Sequence, residues 1–144
     1  MIDLLPGVNS TVSALNAERI RMEVVSQNIA NMETTRGPNG HPYQRQTVVF
    51  ETVLQEQQAG AAGGAHPQGV RVARIEPDAR PPRLVYNPGH PDANSEGMVS
   101  MPDINMHEEM VDFIASSRAF EANLAVMKNA RSLALQTLSI GKRI

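Results

Sequence analysis

Glycine and proline are absent from two long stretches of this 144-residue chain, Val8 to Arg36 and Asp103 to Ile140. Between them, Gly60 to Pro102 holds six Gly and seven Pro in 43 residues. Proline removes a helical hydrogen bond and glycine costs backbone entropy, so that region cannot carry a long helix, whereas the two bare stretches can. The chain therefore reads as one domain in three parts: an N-terminal helical arm (1–36), a Gly/Pro-rich middle (37–102) and a C-terminal helical arm (103–144). The predicted fold class is mainly α with a small β element.

Apolar periodicity supports both arms. In the first, Val8, Leu15, Met22 and Ile29 recur every seven residues, with Val25 and Met32 three after the last two. They share one stripe of a helix expected over Val8–Asn31, about 36 Å long. Asn9 or Ser10 is the expected N-cap and Asn31 the expected end. In the second arm Met106, Phe113, Phe120, Met127 and Ala134 alternate with Met110, Ser117, Leu124, Arg131 and Leu138. That 3–4 alternation predicts a helix over Met106–Ile140, about 52 Å long. Asn105 with Glu108 has capping-box spacing, Glu108, Glu109 and Asp112 suit the positive end of the dipole, and Gly141, Lys142 and Arg143 suit the other. Polar Ser117 and Arg131 on the stripe point to a packed bundle rather than a simple two-stranded coil.

The middle opens with the turn sequence Gly37-Pro38-Asn39-Gly40, followed by the β-branched run Thr47–Val53. Val70–Val72 and Leu84–Tyr86 are two further short strand candidates, and Gln58–Gly69 reads as a flexible loop with nothing to pack. Only five aromatics, Tyr43, Phe50, Tyr86, Phe113 and Phe120, are available to a core. Two striped arms without a third long element to cover them should seek partners, since exposed apolar seams are unstable in water.

Chemistry is hard to find. His107-Glu108-Glu109-Met110-Val111 has Val where a zinc-protease helix needs its second His. His41, His66 and His90 sit in Gly/Pro-rich surroundings without ligand partners at metal spacing. Gly60-Ala61-Ala62-Gly63-Gly64 lacks the Lys-Ser/Thr of a phosphate loop, and no serine lies in a nucleophile elbow, so Ser116 and Ser117 read as helix-surface or packing residues. With no cysteine there is neither disulfide nor thiol chemistry. Arg71, Arg74, Arg80 and Arg83 form a loose basic cluster interrupted by Glu76 and Asp78, read as a solvated face. A net charge of −2 without a basic run argues against nucleic acid. No catalytic residue, cofactor, metal or small-molecule substrate is expected. The first residues lack the basic and apolar regions of a cleaved signal peptide, and no apolar run is long enough to span a membrane, so composition by itself fits a cytosolic protein.

At Ser26-Gln27-Asn28-Ile29-Ala30-Asn31-Met32-Glu33-Thr34-Thr35 the chain resembles the N-terminal signature of bacterial flagellar rod and hook proteins, an Asn-x-Ala-Asn core followed by Thr. Gly37–Tyr43, Val48-Val49-Phe50, Tyr86–Ala93 and Gly97–Pro102 are similar to the proximal-rod branch of the flagellar basal-body rod family in particular. Glu109-Met110-Val111, Ser116–Asn123 and Thr137–Gly141 are similar to that family's C-terminal helix; Met98 stands where an aromatic is usual, and Phe120 where it is often Tyr. The resemblance covers essentially the whole chain.

It implies a structural subunit of the periplasmic rod that joins the membrane ring to the distal rod and hook, exported through the flagellar type III apparatus without a cleaved signal. It also implies terminal segments that stay disordered until they pack as a helical hairpin or coiled coil in the polymer. Other rod subunits, further copies of the chain and the rod–membrane ring junction would be the partners. The expected assembly interface is the pair of stripes: Val8, Leu15, Met22, Val25 and Ile29 on the first arm, and Met106, Met110, Phe113, Phe120, Leu124, Met127 and Leu138 on the second. Asn28, Ala30, Asn31 and Thr34 are the signature residues. Another axial subunit of the same superfamily, or a small helical export chaperone or adaptor, would share the paired arms.

Overall fold

The computed structural model describes residues 5–55 and 66–141. The two Gly/Pro-free stretches are the two helices, α1 (Leu5–Ala30) and α2 (Met106–Gly141). Helix α1 starts a turn earlier than periodicity predicts, with Pro6 in the first turn, where its missing N–H costs nothing. Asn9 and Ser10 are therefore inside the helix and do not cap it. Its end is close to expectation: the Asn31 N–H still donates to the Gln27 carbonyl at 3.0 Å, and the chain then turns. Helix α2 begins as predicted. Asn105 Oδ1 accepts from the His107 N–H at 3.0 Å, and its amide donates to Glu108 Oε1 at 3.3 Å, so the Asn–Glu pair caps the helix with Glu108 bonding the cap's side chain.

Between the helices lie two antiparallel pairs, β1 (Gln46–Gln55) with β2 (His66–Pro77), and β3 (Arg83–Tyr86) with β4 (Met98–Met101). Both are longer or more numerous than the strand candidates in the sequence. Gln58–Gly69 is not all loop: residues 66–69 are the start of β2, where His66 pairs with Gln55 and Gly69 with Val53. Residues 58–65 lie outside the described residues, as do Lys142 and Arg143. Gly69 belongs in the strand because β2 crosses α1 there; an added Cβ would lie 2.3 Å from Ser13 Oγ, which itself accepts the Val70 N–H at 3.1 Å.

Helix α1 is the central element. It packs on α2 along one side and on the β1–β2 ribbon along another. The ion pair Arg21–Asp112 and the bond Asn28–Glu109 set α1 and α2 antiparallel. The arms thus do cover part of each other, and the ribbon is a third element long enough to cover part of α1. Among the described residues the buried apolar side chains are few: Ala17, Val24, Val25, Val99, Pro102 and Ile104. Among the described residues no helix is long and apolar enough to cross a membrane.

Candidate functional site: a polar junction and an open helical face

Asn28 is 1% exposed, and every hydrogen-bonding position of its amide is taken. Oδ1 accepts from the Gln46 N–H and from the Tyr43 hydroxyl, both at 2.9 Å. Nδ2 donates to the Gln46 carbonyl at 2.9 Å and to Glu109 Oε2 at 3.0 Å. An α1 side chain therefore stands in for a neighbouring strand at the first residue of β1, and holds α2 at the same point. The other oxygen of Glu109, whose side chain is fully buried, accepts from Arg45 Nε at 2.6 Å. Arg45 also reaches Asp78 Oδ2 at 3.3 Å and Asp112 Oδ2 at 3.6 Å.

Electrostatics follow this geometry. Burial works against the Arg45 cation, but hydrogen bonds and charge from Glu109 and then Asp78 outweigh it and push its pKa up. Burial, with the Glu109 carboxylate beside it, raises the Tyr43 phenol. Asp78 would also be raised by burial, yet the Arg80 N–H and guanidinium and the Arg45 guanidinium hold it below the usual carboxylate range. Glu109, in the first turn of α2 where the helix dipole favours a carboxylate, is also the buried carboxylate of the cluster. Arg80 sits between Asp78, Asp103 and Glu108, Arg71 pairs with Glu51 and Arg74 with Glu76, so three of the four arginines of the loose basic cluster stand in separate ion pairs, and Arg83 is exposed.

The remaining signature residues act locally. Asn31 Nδ2 donates to the Gln27 carbonyl at 2.9 Å, the Thr34 hydroxyl donates to Asn31 Oδ1 at 3.2 Å, and the Tyr43 N–H donates to the Thr34 carbonyl at 3.1 Å. They close the end of α1 and bring the 37–43 turn back towards Asn28. Ala30 is exposed on the last helical turn.

The stripe residues divide. Val25 is buried within the chain, and Val8, Leu15, Met22, Ile29, Phe120 and Met127 are half-buried. Met106, Met110, Phe113, Leu124 and Leu138 are exposed, from 38% for Leu124 to 65% for Leu138. The side of α2 that meets α1 through Glu109 and Asp112 carries fully buried Glu109 and Ser116, with Asn123, Met127 and Ala130 half-buried along it; Ser116 is thus a packing residue, one of the two roles its sequence context allowed. At 100° per residue the exposed stripe lies roughly 90° round α2 from that face, and the Val8–Ile29 line lies roughly 120° round α1 from Arg21 and Asn28, in the same rotational sense. Because the helices are antiparallel, both rotations lead to one side of the hairpin. Ser13, which holds β2, lies on the other. One face of the hairpin is covered by the ribbon, and the opposite face presents apolar side chains from both helices.

The cleft lined by Gly37, Pro38, His41, Tyr43, Pro77 and Pro82 contains no carboxylate, and among the described residues no three His, Asp or Glu side chains are grouped to hold a metal.

Comparison with known proteins places the chain. Residues 95–140 match the model of the flagellar basal body rod FlgEFG protein C-terminal family, and residues 9–38 that of the flagella basal body rod protein family. The flagellar basal-body rod protein FlgC of Bacillus subtilis is 40% identical over 147 residues, covering 94% of this chain and 97% of that protein. FlgC of Borreliella burgdorferi is also 40% identical, over 95% of this chain and 97% of its own, and FlgC of Yersinia enterocolitica 42% over 90% and 92%. The chain belongs to the FlgC family of flagellar basal-body rod proteins. As an FlgC-family chain it is a structural component of the flagellar basal body, associated there with other rod components. The two rod-protein family matches take in both sides of the junction, since Asn28 falls in the segment 9–38 and Glu109 in the segment 95–140.

Proposed function

We propose that this subunit polymerises through its terminal helices into the proximal rod, a drive shaft between the membrane ring and the distal rod and hook. The observation that carries this reading is the open apolar face of the α1–α2 hairpin. Met106, Met110, Phe113, Leu124 and Leu138 expose large side chains along one helix, and water-exposed seams of that kind gain free energy when a neighbouring hairpin covers them.

In this reading the arms at 1–36 and 103–144 form the assembling layer, and the 37–102 region sits against it. The subunit performs no catalysis, contacts copies of itself as well as other rod subunits and the membrane-ring junction, and reaches its periplasmic site through the flagellar type III export apparatus without a cleaved signal. Folding of the exposed arm surfaces is completed only in the polymer, where torque passes through packed helices.

The test is a pair of charged substitutions on the open face. Met110→Asp and Leu124→Asp should leave the secretion level and the circular dichroism of the isolated chain unchanged while blocking rod completion and swimming. Lys128→Ala is the control and should swim. Normal motility of both Asp variants would exclude the open face as an assembly surface.

A further inference from the structure

Three chain segments meet at Asn28, Arg45 and Glu109, and no two of them satisfy the cluster without the third. If α2 leaves, Arg45 loses Glu109 and the Asn28 amide loses one acceptor. If the segment leading into β1 leaves, a fully buried carboxylate remains with a single neutral donor, Asn28. If α1 leaves, the Gln46 N–H and carbonyl lose their only side-chain partner among the described residues, and the Tyr43 hydroxyl loses its acceptor. An uncompensated buried charge or backbone group is costly, so each partial arrangement is disfavoured.

We propose that Asn28, Arg45 and Glu109 are positioning residues that make the docking of α2 on α1 and the ordering of β1 a single event. The middle region then senses whether the hairpin is formed: β1 is fixed at Gln46 only when both arms are in place. Thr47, Val48 and Val49, which continue β1 from that point up to the register shift before Phe50, inherit their register to β2 from the same anchor.

Hydrogen exchange on the full chain tests this, with the amides of β1–β2 and of α2 read separately. Arg45→Met leaves Glu109 buried and unpaired, and should speed exchange in both regions by the same factor, roughly tenfold or more. Combining it with Glu109→Met removes the stranded charge as well, so the double variant should be closer to the wild type than Arg45→Met alone. Should Arg45→Met prove too unstable to purify, Glu109→Gln keeps an acceptor for Asn28 while losing the ion pair, and should raise exchange in both regions together. Loosening of α2 with β1–β2 protection unchanged would overturn the proposal, as would a double variant whose loss equals the sum of the two single ones.

Discussion

Gly97 holds φ at 74°, and an added Cβ would lie 3.0 Å from Tyr86 Cε2 and 3.1 Å from Pro88 Cβ. Gly40 has nearly the same φ, 76°, with open space where a Cβ would go. The two therefore separate backbone strain from crowding: Gly97→Ala should cost about 1–3 kcal/mol in urea denaturation, and Gly40→Asn, a residue that tolerates this conformation, under about 1 kcal/mol. Asn28 makes a sharper case. Asn28→Asp removes both amide donors and sets a second carboxylate against Glu109, so stability should fall by about 3 kcal/mol or more, with Asn28→Ala less damaging than the nearly isosteric Asp. If the Asp variant matched the wild type at pH 7, the hydrogen-bond assignment would be wrong. Asn28 stood out in the sequence as part of a signature, but its role did not. Its partners lie 15, 18 and 81 residues away, and such long-range polar pairing leaves no periodic trace.

At the scale of elements, the helices were legible because absence of Gly and Pro and a repeated apolar pattern are local properties. Helix α2 ends at Gly141 against an expected Ile140. What periodicity could not reveal was how α2 meets α1: the fully buried positions of its internal face are Glu109 and Ser116, polar residues without a hydropathy signature, with Phe120 and Met127 half-buried beside them. Strand β2 was under-read at 66–69 because its first residues share the composition of the loop, and only pairing with β1 makes them a strand. The unequal helix lengths carry a prediction. Counting antiparallel from Arg21–Asp112 and Asn28–Glu109, Leu5 falls opposite about Ala130, so the last turns of α2 run beyond α1. There Leu133, Leu135, Leu138 and Ile140 are 56–67% exposed and point to different sides of the helix. Deleting residues 135–144 should change the urea midpoint of the isolated chain by less than the equivalent of about 1 kcal/mol and yet abolish rod assembly. Loss of α1–α2 hydrogen-exchange protection in the truncated chain would place those residues in the monomer's own core instead.

For the whole molecule, a core of a few small apolar side chains means that the polar junction carries an unusual share of cohesion between helices and strands, and its charge state should set the acid limit of stability. Asp78 is the group to follow. Burial would raise its pKa, but the Arg80 N–H, the Arg80 guanidinium and Arg45 together lower it below the ordinary value. A carboxylate with a depressed folded-state pKa contributes stability that is fully present above its unfolded pKa, near about 4, and is lost as pH falls through the folded value. Asp78→Asn removes that contribution at every pH. The variant should therefore be less stable than the wild type at pH 7 and at pH 5, with equal gaps, and the gap should narrow steadily below about pH 4 as the wild-type carboxylate takes up its proton. Urea midpoints at pH 7, 5, 4 and 3 measure this directly. Helical and strand signals should be lost together in the wild type at each pH, because Asp78 acts on Arg45, and Arg45 joins the segment before β1 to Glu109 on α2. A gap at pH 3 as wide as that at pH 7 would show that the carboxylate of Asp78 is not what couples the middle region to the hairpin.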